Sequence, residues 1–216
     1  MGNYIDILSK FFKIIPGGIF GLVSTVVFLI CDFIAIYLYP GYSILHDMVS
    51  TLGVGPGALI FNFGLIFSGI FGVILYLYVG ISFYEEDLDK RIIKGAIIFS
   101  IISSILMALI GVLPADQNNL YIGILHYITA LLTWVTGVIY CTIFGYLIIK
   151  CSKYSNFIAL FAFIPAFMMA FLLILILISI IYPFTQYLVP ITEWMMVFSI
   201  MLWILVISSY TLYKKI

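Results

Sequence analysis

Six apolar segments, each long enough to cross a lipid bilayer, constrain this chain more than any other feature. A helix rises ~1.5 Å per residue, so about 20 apolar residues cross the ~30 Å hydrocarbon core. Lipid offers no water to backbone amides and carbonyls, so each segment is expected to be helical. The sequence predicts an all-α, six-helix transmembrane bundle, forming one integral membrane domain over residues 1–216. The predicted spans are about 15–39, 57–82, 92–113, 121–149, 156–182 and 190–213.

The composition excludes a soluble globular domain and does not favour nucleic-acid binding. Hydrophobic residues make up 65% of the chain and charged residues 8%, and the net charge is zero. Nucleic-acid-binding proteins carry an excess of basic residues, which this chain lacks. The three cysteines, Cys31, Cys141 and Cys151, have no paired or metal-ligand spacing. They are therefore predicted to be free thiols.

The basic residues predict the orientation of the bundle. All nine Lys and Arg residues fall at one end of the predicted helices: Lys10, Lys13, Lys90, Arg91, Lys94, Lys150, Lys153, Lys214 and Lys215. The loops at 40–56, 114–120 and 183–189 contain none of them. Loops rich in Lys and Arg stay in the cytoplasm. We therefore expect a multi-pass protein of the cell membrane with both termini in the cytoplasm and the other three loops outside.

The first of these outer loops has the pattern of a short amphipathic helix over residues 43–52. Ser43 is a suitable N-cap, and Gly53 is a suitable stop. Apolar and polar side chains alternate with helical period between them. His46, Asp47 and Ser50 share the polar face, and His46 and Ser50 are neighbours at i and i+4. The pattern predicts a surface helix that covers the outer ends of the bundle, with its polar face toward the interior.

Other polar residues lie at a similar depth in the predicted helices. They include both histidines of the chain and several carboxylates, whereas the inner half of the bundle lacks charged groups. A charge in the bilayer costs ~2.5 kcal/mol or more, so these side chains should face the interior of the bundle. The sequence therefore predicts an outward-facing polar cavity. Its candidate binding residues are Asp32, Asn62, His126, Asp116 and Thr129.

Short motifs in the first four helices resemble a known family. The stretch from Ser43 to Gly69 contains Ser50-Thr51-Leu52-Gly53 and Phe61-Asn62, and later Gly111-Val112-Leu113-Pro114 precedes His126. These residues are similar to the prokaryotic membrane family called domain of unknown function 998. They also resemble, more distantly, the eukaryotic autophagy-modulator and GPI-remodelling six-helix proteins. The resemblance implies a six-helix membrane protein and does not imply a reaction.

Three functions are compatible with this pattern. The first is a non-catalytic or accessory protein that binds a membrane lipid or a lipid-linked headgroup in the outer polar layer. The second is a hydrolase acting on lipids at the outer leaflet. The third is a small transporter with Asp32 as a proton or cation site. A transport path should cross the whole membrane, so the lack of charged groups in the inner half disfavours the third function.

The hydrolase hypothesis has two versions. In the first, zinc is bound by His46, His126 and one carboxylate, which is Asp32, Asp47 or Asp116, and a position is left for water, although no tight metal-binding motif is present. In the second, Ser50 is the nucleophile, His46 or His126 is the base and Asp47 orients the base. Neither pattern has diagnostic catalytic spacing, so the sequence favours lipid binding.

Overall fold

The computed structural model describes residues 8, 10–84, 86–116 and 118–216, and it confirms the predicted six-helix architecture. Six helices are long and apolar enough to span a membrane, and no strand occurs in the described residues. The helices are α1 (Gly18–Tyr37), α2 (Ala58–Ser82), α3 (Lys90–Val112), α4 (Leu120–Lys150), α5 (Asn156–Ile181) and α6 (Val189–Lys214). Two short 3₁₀ helices lie in loops: η1 (Val49–Gly53) and η2 (Pro183–Leu188).

Polar side chains set several helix starts. The Asp89 carboxylate accepts a hydrogen bond of 2.8 Å from the Arg91 amide at the start of α3. The Asn119 side-chain oxygen accepts one of 3.3 Å from the Ile122 amide at the start of α4. Such N-caps satisfy amides that have no partner within the helix. The sequence therefore places helix boundaries close to its few polar residues.

The six helices form a closed ring in chain order. Each helix packs against the next one along the chain, and α6 also packs against α1. The closest approaches occur at glycines. A Cβ on Gly69 of α2 would lie 2.5 Å from the Ser104 carbonyl oxygen of α3, and a Cβ on Gly18 of α1 would lie 2.7 Å from the Ser208 carbonyl oxygen of α6. Small residues let transmembrane helices pack this closely.

The two ends of the ring differ in charge. We call one the basic end, because all nine Lys and Arg residues lie in or next to its loops. We call the other the lysine-free end; it consists of the segments 38–57, 113–119 and 182–188. The structure thus places the basic residues at one end of the bundle, as the sequence predicts. Which side of the membrane each end faces stays a prediction.

The segment 43–52 differs from the single helix that its pattern predicts. Residues 44–47 form a turn, Met48 is extended with ψ of 149°, and only Val49–Gly53 is helical, as η1. The Asp47 carboxylate accepts a 2.8 Å hydrogen bond from the Ser43 amide, which stabilises the turn. Side chains that bond to nearby backbone groups compete with helix formation in this way. The predicted helix is therefore wrong for residues 43–48.

Candidate functional site

A cavity of about 130 Å³ lies along the axis of the ring, and all six helices contribute to its wall. Its wall is mostly apolar, with aromatic and aliphatic side chains such as Phe28, Phe61, Met169 and Ile204. Polar side chains lie at both ends of this wall. Apolar pockets with a few polar groups are the usual binding sites for small molecules. The cavity is therefore the candidate functional site.

Ser50, His126 and Glu193 form the polar group nearest the lysine-free end; we call them the outer polar group. Ser50 belongs to η1, His126 to the second turn of α4 and Glu193 to the second turn of α6. All three line the cavity. His126 and Glu193 are buried, at 4% and 5% exposed, so their polar atoms are available to the cavity rather than to bulk solvent.

The hydrogen bond made by His126 determines which ring nitrogen carries the proton. Its Nδ1 lies 2.7 Å from the Leu113 carbonyl oxygen, which can only accept. Nδ1 is therefore the donor, and in the neutral ring Nε2 has the free lone pair. A buried histidine in this state can accept a hydrogen bond or a proton from a ligand.

Glu193 connects the last helix to the first loop. Its carboxylate accepts a 2.8 Å hydrogen bond from the Val49 amide at the start of η1, across 144 residues of sequence. This amide would have bonded to the chain four residues earlier if 43–52 were one helix. The contact with Glu193 therefore explains why the predicted helix does not form, and no local sequence pattern indicates it.

Tyr42 and Trp194 form a second connection beside Glu193. The Trp194 indole N–H donates to the Tyr42 hydroxyl at 3.0 Å, and that hydroxyl donates to the Met48 carbonyl at 3.1 Å. Burial raises the pKa of the Tyr42 hydroxyl, and nearby carboxyl groups act in the same direction. The hydroxyl is thus neutral and can both donate and accept. Together with Glu193, it fixes the 42–53 segment over the cavity.

The far end of the cavity holds two buried tyrosines. The hydroxyls of Tyr76 and Tyr140 lie 3.0 Å apart, and both residues line the cavity. Tyr76 is about 27 Å along α2 from Ala58, at ~1.5 Å per residue. The cavity therefore extends from the outer polar group well past the middle of the bundle, deeper than the sequence predicts.

Serine and threonine hydroxyls lie between these two ends, and most of them bond to backbone carbonyls. Thr25 donates to Gly21 and Thr133 donates to Thr129, each within its own helix. Ser24 and Ser104 also line the cavity, and their side-chain hydroxyls make no hydrogen bond to any residue that the structure describes. Their hydroxyls are available to a ligand. The sequence-based prediction missed them because a lone transmembrane serine is usually bonded to its own helix.

Among the sequence-predicted site residues, only Ser50 and His126 line this cavity. His46 is exposed at the surface, and Asp47 caps the turn at Ser43. Asp116 accepts a hydrogen bond from the Asn118 amide, and Thr129 donates to the Leu125 carbonyl. Asp47, Asp116 and Thr129 therefore have local structural roles.

Asp32 and Asn62 are buried differently. Asp32 is 1% exposed, so it faces the interior of the bundle, and neither carboxyl oxygen bonds to a described residue. Asn62 is half-buried and donates to the Gly53 carbonyl at 3.0 Å, below η1. Asp32 adds a carboxyl close to the Tyr42 hydroxyl, whereas Asn62 supports the loop that covers the cavity.

The structure does not bring the predicted catalytic groups together. No cluster of three or more His, Cys, Asp or Glu residues suited to a metal occurs in the described part of the chain. His46 lies at the surface, while His126 lies inside the bundle. Ser50 makes no hydrogen bond to either histidine within the described residues. The predicted zinc ligands His46, His126 and Asp32 are thus not assembled, and neither is the triad of Ser50, His46 and Asp47.

The fold and the cavity define a multi-pass membrane protein whose six helices surround an internal, mostly apolar cavity with polar ends. A family model described as "Protein of unknown function (DUF998)" matches residues 22–210. The chain belongs to this family, which confirms the resemblance of its sequence motifs to domain of unknown function 998. No curated protein and no solved structure matches the chain.

Proposed function

We propose that the protein binds a membrane lipid or lipid-linked molecule in a non-catalytic or accessory role. A segment of the ligand chain lies in the cavity, and its polar part contacts Ser50, His126 and Glu193. The observation that carries this proposal is the cavity wall, which is mostly apolar and has its buried histidine and glutamate, His126 and Glu193, near one end, while the far end has tyrosine hydroxyls. This distribution matches an amphiphile.

The size of the cavity limits the proposed ligand. An engineered cavity of about 150 Å³ in another protein holds benzene. A cavity of about 130 Å³ therefore suits roughly six carbon atoms of one chain rather than two complete acyl chains. The rest of a long chain would lie between helices or in the surrounding bilayer. We expect single-chain or isoprenoid amphiphiles to be preferred.

Filling the cavity tests this proposal. Ala130 lines the cavity on α4 and is 6% exposed, so Ala130→Trp places an indole in the proposed chain site. We expect the lipid retained by the purified protein to fall at least about tenfold, which corresponds to about 1.4 kcal/mol of binding free energy. Native mass spectrometry with lipid extraction measures the retained lipid.

The neighbouring Leu131 provides the control. It is 47% exposed on the outer face of α4, so Leu131→Trp should leave the retained lipid unchanged. Ala130→Leu is a milder change that should give an intermediate loss if Ala130→Trp does not fold. Equal retention by the wild type, Ala130→Trp and Leu131→Trp would contradict the proposed site.

A hydrolase is the second candidate, and the state of His126 favours it. Its Nδ1 donates to Leu113, so Nε2 can act as a general base within the cavity. The same mass spectra distinguish the two functions, because an accessory protein releases intact lipid whereas a hydrolase accumulates cleaved products. We rank binding first because no nucleophile is hydrogen-bonded to this histidine in the described residues.

The proposed site requires an orientation, which we infer from the basic residues. We propose that the lysine-free end faces the outside of the cell membrane and that both termini are cytoplasmic. Asn118 is exposed at the lysine-free end, and Cys31, Cys141 and Cys151 are buried. An Asn118→Cys variant should therefore react with an impermeant thiol reagent on intact cells.

A matched cysteine at the basic end completes this test. Ser152 is exposed there, so Ser152→Cys should react only after the cells are lysed. The reverse labelling pattern would show that the lysine-free end faces the cytoplasm, and the proposed lipid site would then belong to the inner leaflet.

A further inference from the structure

A second cavity lies at the basic end of the bundle, where the start of α1 meets the ends of α2 and α6. Its volume is about 680 Å³, several times that of the central cavity. Residues just before α1, at the end of α2 and at the end of α6 form its wall, together with Lys153 from the loop after α4. We call it the basic pocket.

Three lysines line the basic pocket: Lys13, Lys153 and Lys215. None of the lining residues that the structure describes is Asp or Glu. The Lys153 ammonium donates to the Ser82 carbonyl at 3.4 Å, which holds it at the wall. Lys13 and Lys215 are exposed and make no ion pair with any residue that the structure describes. The pocket therefore concentrates positive charge from three distant parts of the sequence.

The backbone at Lys215 is unusual and contributes to this arrangement. Lys215 adopts a left-handed conformation, with φ of 54° and ψ of 41°, directly after α6. Helices usually end this way at glycine, because a Cβ is strained there. Lysine in this position keeps a positive charge where glycine would leave none. Strained residues of this kind are common at binding sites.

The remaining wall of the pocket is mostly apolar and continues onto an exposed apolar surface. Phe12, Pro16 and Leu212 line the pocket beside the lysines. Ile14 is 80% exposed next to them, and Ile19 in the first turn of α1 is 42% exposed. A ligand in the pocket can thus place an anionic group among the lysines and an apolar group along α1.

We propose that the basic pocket binds a phosphate-bearing anion, of the kind that an anionic phospholipid headgroup carries. Lysine is a common phosphate ligand, and basic residues next to transmembrane helices attract anionic lipids. The lysine-rich ends of the helices lie at the level of the bilayer interface, where lipid phosphates are found. The adjacent apolar wall favours a lipid over free phosphate. This site is independent of the proposed central ligand site.

Reconstitution into vesicles of equimolar phosphatidylglycerol and phosphatidylcholine tests the proposal. After gentle extraction, native mass spectrometry counts the lipids bound to the wild type and to the Lys13→Gln/Lys215→Gln variant. We expect the wild type to retain phosphatidylglycerol selectively. A lysine beside the bound phosphate contributes about fivefold to such binding, so removing both should lower it on the order of 30-fold.

Two further variants separate a specific site from general surface charge. Lys94→Gln/Lys150→Gln removes the same charge from the same end without touching the pocket, and it should retain phosphatidylglycerol. Lys13→Arg/Lys215→Arg keeps both charges and should bind as the wild type does, which controls for folding. Equal losses in the two glutamine variants would overturn the proposal.

Inorganic phosphate is used to distinguish a lipid phosphate from free phosphate as the ligand of the basic pocket. Its effect on thermal unfolding in detergent is compared with that of chloride at equal ionic strength. Phosphatidylglycerol retention without a phosphate-dependent shift supports a lipid ligand. A phosphate-dependent shift that the Lys13→Gln/Lys215→Gln variant loses, without lipid retention, supports a soluble phosphate ligand. If neither measurement differs between the wild type and this variant, the pocket is not an anion site.

Discussion

Replacing Glu193 by alanine will lower the stability of the protein by about 1–3 kcal/mol, because it leaves the buried Val49 amide without its acceptor. The affected segment is η1, which covers the lysine-free end of the central cavity. We therefore expect the loop around η1 to become susceptible to proteolysis before the six helices unfold. Thermal unfolding in detergent, followed in parallel with limited proteolysis between residues 43 and 53, measures both effects.

Glu193→Gln is the matched variant for this prediction. Glutamine keeps an acceptor oxygen at the same position, so most of the stability and protease resistance should be retained. If glutamine destabilises the protein as much as alanine does, the negative charge itself, rather than the hydrogen bond, holds the loop. If alanine has no effect, the Tyr42–Trp194 connection is sufficient to hold it.

The second large effect is expected at Gly69. An alanine Cβ at this position would lie 2.5 Å from the Ser104 carbonyl oxygen and 2.7 Å from the Ala108 amide nitrogen. Both are backbone atoms of α3, so the contact can be relieved only by moving one helix away from the other. We expect Gly69→Ala to destabilise the bundle by about 1–3 kcal/mol, as overpacking of a close-packed interior does.

Gly95 provides the control for Gly69. A Cβ on Gly95 would meet only the Ile143 Cδ1 atom, at 3.9 Å. Gly95→Ala should therefore leave the stability unchanged, or raise it by up to about 1 kcal/mol because alanine favours helices. Denaturation of both variants in mixed detergent micelles compares them directly. Equal effects of the two substitutions would show that the α2–α3 contact is looser than the structure indicates.

The helices could be predicted from the sequence because lipid offers no water to backbone amides and carbonyls, so every spanning segment must be helical. The loop 43–52 could not, because its conformation depends on Glu193, which lies far away in the sequence. Val49 and Leu52 are buried, but Ile44 and Leu45, which the pattern places on the same face, are exposed. The Val49 amide bonds to Glu193 instead of continuing a helix. Tertiary contacts therefore override local periodicity at this position.

The sequence predicts a polar cavity near the lysine-free end, whereas the cavity in the structure is mostly apolar and extends deeper into the bundle. The histidine and carboxylates are rare in an apolar sequence, so they indicate the outer polar group. Serine and threonine hydroxyls do not indicate from the sequence which residues line the cavity. The Thr25 hydroxyl bonds to its own helix, while the adjacent Ser24 hydroxyl makes no hydrogen bond to a described residue, and nothing in the sequence separates them. Only helix rotation determines which hydroxyl reaches the cavity.

The closed ring of helices has a consequence for the biogenesis of the protein. The contact between α1 and α6 joins the first and last transmembrane helices, and Glu193 of α6 fixes the loop after α1. Ribosomes make the chain from its N-terminus, so the contact between α1 and α6 is the last helix contact to form. Until α6 inserts, the interior is open sideways to the bilayer. A lipid can therefore be enclosed during synthesis, and a tightly held one would then be acquired once for the lifetime of the molecule.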